Sequence, residues 1–363
     1  MKNHVADEAS TERDADDGAK VTILVPVFNG ERYLSSSLDS ILNQSYPNTE
    51  VIVLDDASTD RTPEILASYG DRIRTITQER NRGIYGNMNT GIESASGEYI
   101  AIYHSDDLYE PNIVTREVEF LSSHPEAGAV FCSDVFIDPD GAKTGQLELP
   151  AEIRGNQPLP YPTVLNTLLT YRNVFLRCPS CMVRADVYKA VGPYRDQQFR
   201  NTSDLEMYLR IARSYSIGVL EDHLFKYRWG HGNSGQRYRY LRTDEERYFT
   251  ILDLYLNEGD REIASKKALA AFEAHRNEDR LMRVVSSYIS DQRTDARALL
   301  AQVKPTEMIG NAQIQWARLL VLWASLTVLV RLPRLSLVAD IFRRRWHGKK
   351  SALRKRTKRG VLA

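Results

Sequence analysis

Two neighbouring carboxylates, Asp106 and Asp107, lie where an apolar run ends in a turn before Pro111. The run Tyr99–Tyr103 predicts a buried strand, with the Asp-Asp turn at its carboxyl end. Adjacent carboxylates repel each other, and a cation beside them relieves that repulsion. Hard oxygen ligands suit Mg²⁺ or Mn²⁺. The pair therefore predicts a divalent metal site, with a solvated Asp-Asp turn as the simpler alternative.

A second acidic segment begins at Asp55 and Asp56, directly after the apolar run Glu50–Leu54. The β-branched run Val21–Phe28 predicts another buried strand, and the spacing changes to a helical period after it. Strands and helices that alternate in this way predict an α/β fold with a mostly parallel central sheet and helices on both faces. Because ligands bind beyond the carboxyl ends of such strands, both acidic segments should lie at the binding edge.

Further elements are predicted in the second half of the α/β region. Strands are expected at Ala129–Ser133 and Pro179–Arg184, and a capped helix is expected to start near residue 202. Residues 142–172 contain several prolines and are expected to be irregular, as a lid or an acceptor-facing insertion. The predicted segments are a disordered N-terminus (1–20), an α/β domain (21–238), a helical extension (239–312), and an amphipathic helix with a polybasic tail (313–363).

Composition narrows the class of protein. The 363 residues carry no net formal charge, which argues against a general nucleic-acid binder. Residues 1–20 contain six acidic and three basic residues with few large apolar side chains, which is typical of disorder. Three cysteines provide no disulfide framework, and no signal peptide is evident at the start. A reducing, cytoplasmic location is therefore expected.

Five motifs in order give the chain a specific resemblance over about residues 20–235. They are Val25–Glu31 (VPVFNGE), Leu54–Asp60 (LDDASTD), Asn81–Gly83 (NRG) with Asn89 and Gly91, Gly97–Ala101 (GEYIA), and Ser105–Asp107 (SDD). This arrangement resembles the family 2 glycosyltransferases, which have the GT-A fold. The resemblance implies inverting sugar transfer from a nucleotide-sugar donor, most often a UDP-sugar, with a divalent metal on the diphosphate.

The resemblance also assigns expected roles on the donor side. Pro26, Phe28 and Glu31 would line the nucleoside pocket, and Asp56 would accept a hydrogen bond from the base. Arg82, from the third motif, is a further donor-binding candidate, whereas Asp55 would support its loop.

The metal motif would be formed by Asp106 and Asp107, with one carboxylate on the metal at the diphosphate and the other near the ribose. His104 stands where the family commonly has an Asp, and it could ligate the metal or donate to the ribose. A packed or solvated histidine is the alternative.

Transfer to an acceptor hydroxyl needs a general base and stabilisation of the leaving diphosphate. Asp204 matches the family's catalytic aspartate at a helix start, although Ser203 replaces the Glu that often precedes it. A simple helix-capping role is the alternative. Arg228 and His231 lie in a segment that resembles the loop over the donor, so they could reach the diphosphate or metal. A surface role for this basic loop is equally open.

Cys178 and Cys181 have the spacing of a redox pair. The motif lacks the helix and strand context of a thioredoxin-type site, and no second ligand pair suggests zinc. They are therefore interpreted as small apolar packing residues.

The C-terminal stretch Leu319–Val330 contains twelve uncharged residues, too few to span a bilayer. Ten Lys or Arg residues in the last 23 follow it. The pattern favours an in-plane helix and a basic tail on anionic lipid at the cytoplasmic face, near a glycan or lipid-linked acceptor. A buried helix packed on the catalytic domain is the alternative.

Two other functions remain open on the sequence. A nucleotidyltransferase shares this sheet type but would normally carry a Gly-rich, basic phosphate loop after the first strand, where Phe28–Glu31 stands here. A non-catalytic binding or scaffold module would be consistent with His104 and Ser203 as departures from the family pattern.

Overall fold

The computed structural model describes residues 18–230, 241–311, 314–332, 335 and 337–342. Most of the predicted disordered N-terminus (residues 1–17), His231 and the basic tail from residue 343 lie outside these residues. The first described residues are ordered against the sheet, because Lys20 forms an ion pair with Glu50 at 3.1 Å.

Nine strands of the described residues form one sheet. They are β1 (Val21–Val27), β2 (Thr49–Asp55), β3 (Arg74–Thr77), β4 (Tyr99–Ile102), β5 (Leu108–Tyr109), β6 (Ala127–Ile137), β7 (Lys143–Gln146), β8 (Cys181–Arg184) and β9 (Ser216–Arg228). The strand order is β3-β2-β1-β4-β8-β6-β9-β5, and β7 pairs with β6 outside this path.

Besides short 3₁₀ helices and the helical residues 337–342, the described residues form twelve α-helices. They are α1 (Leu34–Leu42), α2 (Thr62–Tyr69), α3 (Ile84–Ser94), α4 (Ile113–Ser123), α5 (Tyr161–Tyr171), α6 (Ala185–Val191), α7 (Asp196–Phe199), α8 (Ser203–Ala212), α9 (Arg247–Asn257), α10 (Lys266–Ile289), α11 (Arg293–Ala301) and α12 (Trp316–Leu329).

The predicted α/β class is confirmed, with its parallel part at one side of the sheet. β3, β2, β1 and β4 pair in parallel, as the alternation of strands and helices requires. The other side is mixed, since β8 runs antiparallel to both β4 and β6 while β6 and β9 are parallel. Two large apolar clusters pack against the sheet, which explains why its central strands are almost continuously apolar.

The expectation that residues 142–172 are irregular is corrected in part. This segment contains β7 and the three-turn helix α5. Pro162 occupies the first turn of α5, where a missing backbone N–H costs no helical hydrogen bond. The expected helix near residue 202 is confirmed as α8, which follows the N-cap residue Thr202, but the expected side-chain cap is not formed, because Thr202 makes no capping hydrogen bond to the described helix.

The helical extension shares the core of the α/β domain. Tyr248, Phe249 and Phe272 belong to the same apolar cluster as Leu24 and residues of the sheet. The imidazole of His275 contacts the carbonyl of Thr170 on α5 at 2.9 Å. The proposed boundary after residue 238 therefore does not coincide with a break in packing.

Helix α12 packs on the extension rather than on the sheet. Leu319 and Leu326 are buried in a third cluster that includes Leu281 and Tyr288 of α10. Val321 and Val328 lie on the outer face and are 68% and 58% exposed. In the described part of the chain, no helix combines the length and apolarity that crossing a bilayer requires.

Candidate active site

The acidic turn after β4 brings three potential metal ligands together. His104 follows the strand, and Asp106 and Asp107 lie between β4 and β5. One ligand atom from each residue lies within 4.8 Å of the others. The sequence placed these residues at a strand end, and the fold makes them a cluster.

Unsatisfied atoms in this cluster fit a bound cation. Asp107 is 1% exposed, and its Oδ1 accepts the backbone N–H of Arg228 at 2.7 Å. Its Oδ2 and the Nε2 of His104 have no hydrogen-bond partner among the described residues. Burial lowers the pKa of His104, which favours the neutral imidazole that can ligate a metal. Burial, together with the charge of Asp106, raises the pKa of Asp107, and a divalent cation would offset that cost.

Arg228 holds this turn in place. Its Nε donates to the carbonyl of Asp106 at 2.8 Å, and its Nη1 lies 3.3 and 3.2 Å from the carbonyls of Asp138 and Pro139. The guanidinium also lies over the ring of Tyr33. Since these donors face backbone carbonyls, the structure supports a role in positioning the acidic turn. Contact of Arg228 with the diphosphate stays a prediction.

At the end of β2, Asp56 organises the loop before α3. Its Oδ1 accepts the N–H of Arg82 at 2.7 Å, and its Oδ2 accepts that of Gly83 at 2.9 Å. Burial raises the pKa of Asp56, and the two N–H groups oppose that shift. Asp55 accepts the N–H of Ser58 at 3.1 Å, which agrees with the loop-supporting role expected for it. A contact of Asp56 with a base stays a prediction.

The other donor-side candidates lie along the same edge. Phe28 is 50% exposed just beyond β1, where an aromatic ring can receive a base, whereas Pro26 is buried within the strand. Glu31 accepts the N–H of Arg61 at 3.2 Å, so it fastens its loop to the start of α2. The exposed Arg82 donates from Nη1 to Thr90 at 2.9 Å.

Asp204 lies in the first turn of α8, where its Oδ1 accepts the N–H of Leu205 at 2.8 Å. It is not the N-cap residue, which is Thr202. Burial raises the pKa of Asp204, while hydrogen bonds from Leu205 and the Tyr85 hydroxyl act in the opposite direction. A carboxylate with a raised pKa is a stronger base than an exposed one, as a general base requires.

Short connections join Asp204 to the two acidic loops. Asp56 binds residues 82 and 83, and Tyr85, two residues later, donates to Asp204. On the other side, Cys178 is close enough to Asp204 and to Tyr109 for their charges to interact. Tyr109 adjoins the acidic turn, since its hydroxyl accepts the N–H of His104.

The two cysteines of the Cys-Pro-Ser-Cys segment are buried and free. Burial raises the pKa of both thiols, so the reactive thiolate is disfavoured. Both properties agree with the packing interpretation.

Sequence reasoning missed three residues near this site: Tyr85, Asp134 and Arg177. Asp134 had a detectable signal, because it is an acidic residue inside an otherwise apolar strand. Tyr85 lies within the third motif, between Gly83 and Asn89, but its proximity to Asp204 depends on a remote segment, and Arg177 belongs to none of the five motifs.

The family model described as "Glycosyl transferase family 2" matches residues 22–192. The chain is 31% identical over 217 residues to the putative glycosyltransferase EpsE of Bacillus subtilis, covering 58% of this chain and 73% of that protein. It is 29% identical over 209 residues to an uncharacterized glycosyltransferase of Rickettsia typhi, covering 57% of this chain and 63% of the relative.

Two solved structures have a similar fold. One is residues 1–349 of TarS from S. aureus in complex with UDP-GlcNAc, with a TM-score of 0.54, 17% identity, and coverage of 86% of this chain and 90% of that chain. The other is the mannosyltransferase PcManGT from Pyrobaculum calidifontis in complex with GDP-Man and Mn²⁺, with a TM-score of 0.53, 19% identity, and coverage of 96% and 90%. These likenesses confirm the expected GT-A fold.

Proposed function

Because this chain belongs to glycosyltransferase family 2, we propose that it moves a sugar from a nucleotide-sugar donor to an acceptor hydroxyl with inversion at the anomeric carbon. The donor-binding edge would be the carboxyl ends of β1, β2 and β4. The acceptor would be a glycan or a lipid-linked sugar, as in the synthesis of a surface polysaccharide.

The observation that carries this proposal is the cluster of His104, Asp106 and Asp107 with its unsatisfied buried atoms. These residues would hold Mg²⁺ or Mn²⁺, which supplies Lewis-acid stabilisation of the leaving diphosphate when bound. The similar structure of PcManGT contains Mn²⁺, which supports the choice of metal. Arg228 would keep the acidic turn in position for that ion.

On the acceptor side, Asp204 would remove the proton of the attacking hydroxyl. Its half-buried position raises its pKa, and the Tyr85 hydroxyl is close enough to the carboxylate to lower that pKa in part. A single base opposite the leaving group is the arrangement that direct displacement needs, and direct displacement inverts the anomeric carbon.

Phe28, Glu31 and Asp56 would form the nucleoside side of the donor site. A UDP-sugar is the favoured donor, and the TarS complex with UDP-GlcNAc supports that preference. The PcManGT complex with GDP-Man makes a guanosine donor the second choice.

Release of sugar from a panel of UDP- and GDP-sugars, followed by mass spectrometry with and without Mn²⁺ or Mg²⁺, tests the proposal. We expect metal-dependent turnover of at least one donor. Asp106→Asn should abolish it, and Asp204→Asn should reduce transfer about 10²- to 10⁴-fold. Asp186→Asn changes an exposed carboxylate in the first turn of another helix, α6, and should leave turnover unchanged.

Two outcomes would contradict this function. Full turnover by Asp106→Asn would remove the metal cluster from the mechanism. Failure of the wild-type protein to consume any donor in the panel would favour the non-catalytic module.

A membrane-facing role for α12 completes the proposal. One side of the helix packs on the extension while Val321 and Val328 face outward. We infer that this face lies in the interface of the cytoplasmic leaflet, where a lipid-linked acceptor is available, with the basic tail attracted to anionic lipid. Sedimentation with anionic vesicles tests it, as set out in the Discussion.

A further inference from the structure

Arg177 is a cation beside the candidate active site whose donors are largely uncommitted. It lies just before the short 3₁₀ helix Cys178–Ser180, and its side chain is 24% exposed. Its guanidinium lies near the rings of Phe136 and Tyr227, at 5.9 and 5.8 Å. Within the described residues its side chain makes no hydrogen bond, and its buried Nε lacks a partner.

Asp134 is the ion-pair partner of Arg177, and its Oδ2 lies 3.8 Å from Nε of Arg177. That separation is an ion pair but too long for a hydrogen bond. Asp134 has no exposed surface, and neither carboxylate oxygen has a hydrogen-bond partner among the described residues. Buried polar atoms without hydrogen-bond partners are uncommon and lower the stability of the fold. A contribution to stability therefore does not account for this pair, and a role in binding a ligand would.

Asp134 lies in an irregular part of the sheet. It lies on β6 beside two shifts in the register between β6 and β9, around Ser133 and Asp134. Irregular pairing of this kind re-aims side chains and is common next to active sites.

The pair adjoins the acidic turn, because the ring of Tyr227 lies near the Arg177 guanidinium and the next residue, Arg228, donates its N–H to Asp107. Tyr227 is close enough to Asp107, Asp106, Asp134 and Arg177 for all four charges to act on its hydroxyl. On the other side, Cys178, which follows Arg177 directly, interacts with the charge of Asp204. The space between the metal ligands and the base is where the transferred sugar ring must lie.

We propose that Arg177 binds hydroxyl groups of the donor's sugar, and that Asp134 is the positioning residue that orients its guanidinium. This assignment rests on the proposed glycosyltransferase function and names the part of the donor that this pair recognises. A hydroxyl oxygen accepts from the guanidinium, whose planar set of donors can engage two neighbouring hydroxyls.

The sugar suits this pair better than the diphosphate does. Asp134 offsets the charge of Arg177 and would repel a phosphate placed beside it, because charges interact strongly in a partly buried site. The metal cluster already supplies positive charge for the diphosphate. Arg228, the buried arginine at the acidic turn, faces backbone carbonyls.

Calorimetric binding of nucleotide and sugar nucleotide to the full chain, with Mn²⁺ present, separates these possibilities. The probes are UDP and GDP, and the UDP- or GDP-sugar that the donor panel identifies. For Arg177→Gln we expect the affinity for the sugar nucleotide to fall about tenfold, because a hydrogen bond to a charged group is lost. The affinity for the bare nucleotide should stay within about twofold.

Asp134→Asn should produce a smaller loss of the same selective kind, because the guanidinium loses its orientation but not its donors. Arg177→Lys keeps the charge without the planar fork, so it should restore only part of the affinity for the sugar nucleotide. Arg116→Gln, on the outer face of α4, is the matched control and should change neither affinity. Thermal unfolding of each variant checks that the fold is intact.

Equal weakening of nucleotide and sugar nucleotide by Arg177→Gln would assign the residue to the phosphates and overturn the proposal. So would unchanged affinity for both in a folded variant. Absence of any nucleotide binding by the wild-type protein would instead overturn the proposed function on which this assignment depends.

Discussion

At the scale of single residues, the basicity of Asp204 depends on one hydroxyl donor. Burial raises the pKa of this carboxyl group, and the N–H of Leu205 and the Tyr85 hydroxyl lower it. Tyr85→Phe removes one of these opposing donors while keeping the ring. The pKa of Asp204 should then rise further.

Because a general base acts in its deprotonated form, a higher pKa moves the acidic limb of activity to higher pH. We therefore expect Tyr85→Phe to shift the lower limb of the kcat/KM profile upward, with the loss of activity greatest at low pH. Tyr188→Phe, whose hydroxyl lies 3.5 Å from that of Tyr194, is the control and should leave the profile in place. An unshifted limb in Tyr85→Phe would separate this tyrosine from the base.

At the scale of elements, Glu50 links the segments that contain Lys20, Thr22 and Ser96 at the end of the sheet opposite the candidate site. Its carboxylate accepts hydrogen bonds from Ser96 at 2.6 Å and from Thr22, and it pairs with Lys20 at 3.1 Å. Burial opposes ionisation, but these donors prevail and lower the pKa of Glu50 to about 2.

A folded-state pKa below the ordinary carboxyl value means that the unfolded chain binds the proton more readily. The stabilisation by Glu50 is therefore complete above about pH 4.5 and is lost as the pH falls toward about 2. We expect Glu50→Gln to have a lower free energy of unfolding at neutral pH and a shallower decline between those values. Urea unfolding at several pH values measures both, and identical slopes for the two proteins would contradict this assignment.

Gly97 lies in the same junction, two residues before β4. A Cβ at this position would lie 2.5 Å from the backbone nitrogen of Thr22, 2.7 Å from the carbonyl oxygen of Tyr99 and 2.9 Å from that of Lys20. Because backbone atoms of two strands would have to move, Gly97→Ala should destabilise the protein by about 1–3 kcal/mol. Glu98→Ala, an exposed neighbour, should change the free energy of unfolding by less than about 0.5 kcal/mol. Equal stability of Gly97→Ala and wild type in denaturant titration would show that the backbone here moves to accept a methyl group without a loss of stability.

The local pattern of apolar residues was sufficient to predict the strands in the first half of the sheet. The apolar runs that become β1, β2 and β4 end at Phe28, Asp55 and His104, so the sequence could place the acidic loops at one edge. It could not show β9, because Glu221, Asp222 and His223 interrupt the apolar pattern of that strand.

The candidate site was predictable to the same extent. Its acidic residues lie in local motifs next to strand ends, and His104 could be added because it belongs to the same turn. The contact of Tyr85 with Asp204 and the pairing of Asp134 with Arg177 are different in kind. They join segments that are 119 and 43 positions apart in the chain, and spacing along the chain carries no information on such contacts.

At the scale of the whole molecule, α12 has an exposed apolar outer face, while its inner face packs on α10. Replacing Val321 and Val328 together by Asp should reduce sedimentation of the full chain with phosphatidylserine vesicles, because charge in the interface opposes burial of this face. Donor turnover in solution should remain unchanged, since the helix packs on α10 rather than on the sheet.

Ser68→Asp with Ser123→Asp adds the same charge at exposed positions on α2 and α4 and is the matched control. The control protein should sediment like wild type. Equal sedimentation of the valine variant would place lipid binding elsewhere, and vesicles of neutral lipid separate the apolar contribution from that of charge.

The series of contacts from Asp56 through residues 82 and 83 to Tyr85 and Asp204 also bears on how such an enzyme can diverge. If Asp56 contacts the nucleotide as proposed, a substitution there also disturbs the loop that carries Tyr85 toward Asp204, so donor selectivity and turnover would change together. A lineage that adopts a new donor would then change more easily at Phe28, because its half-exposed ring forms none of these hydrogen bonds.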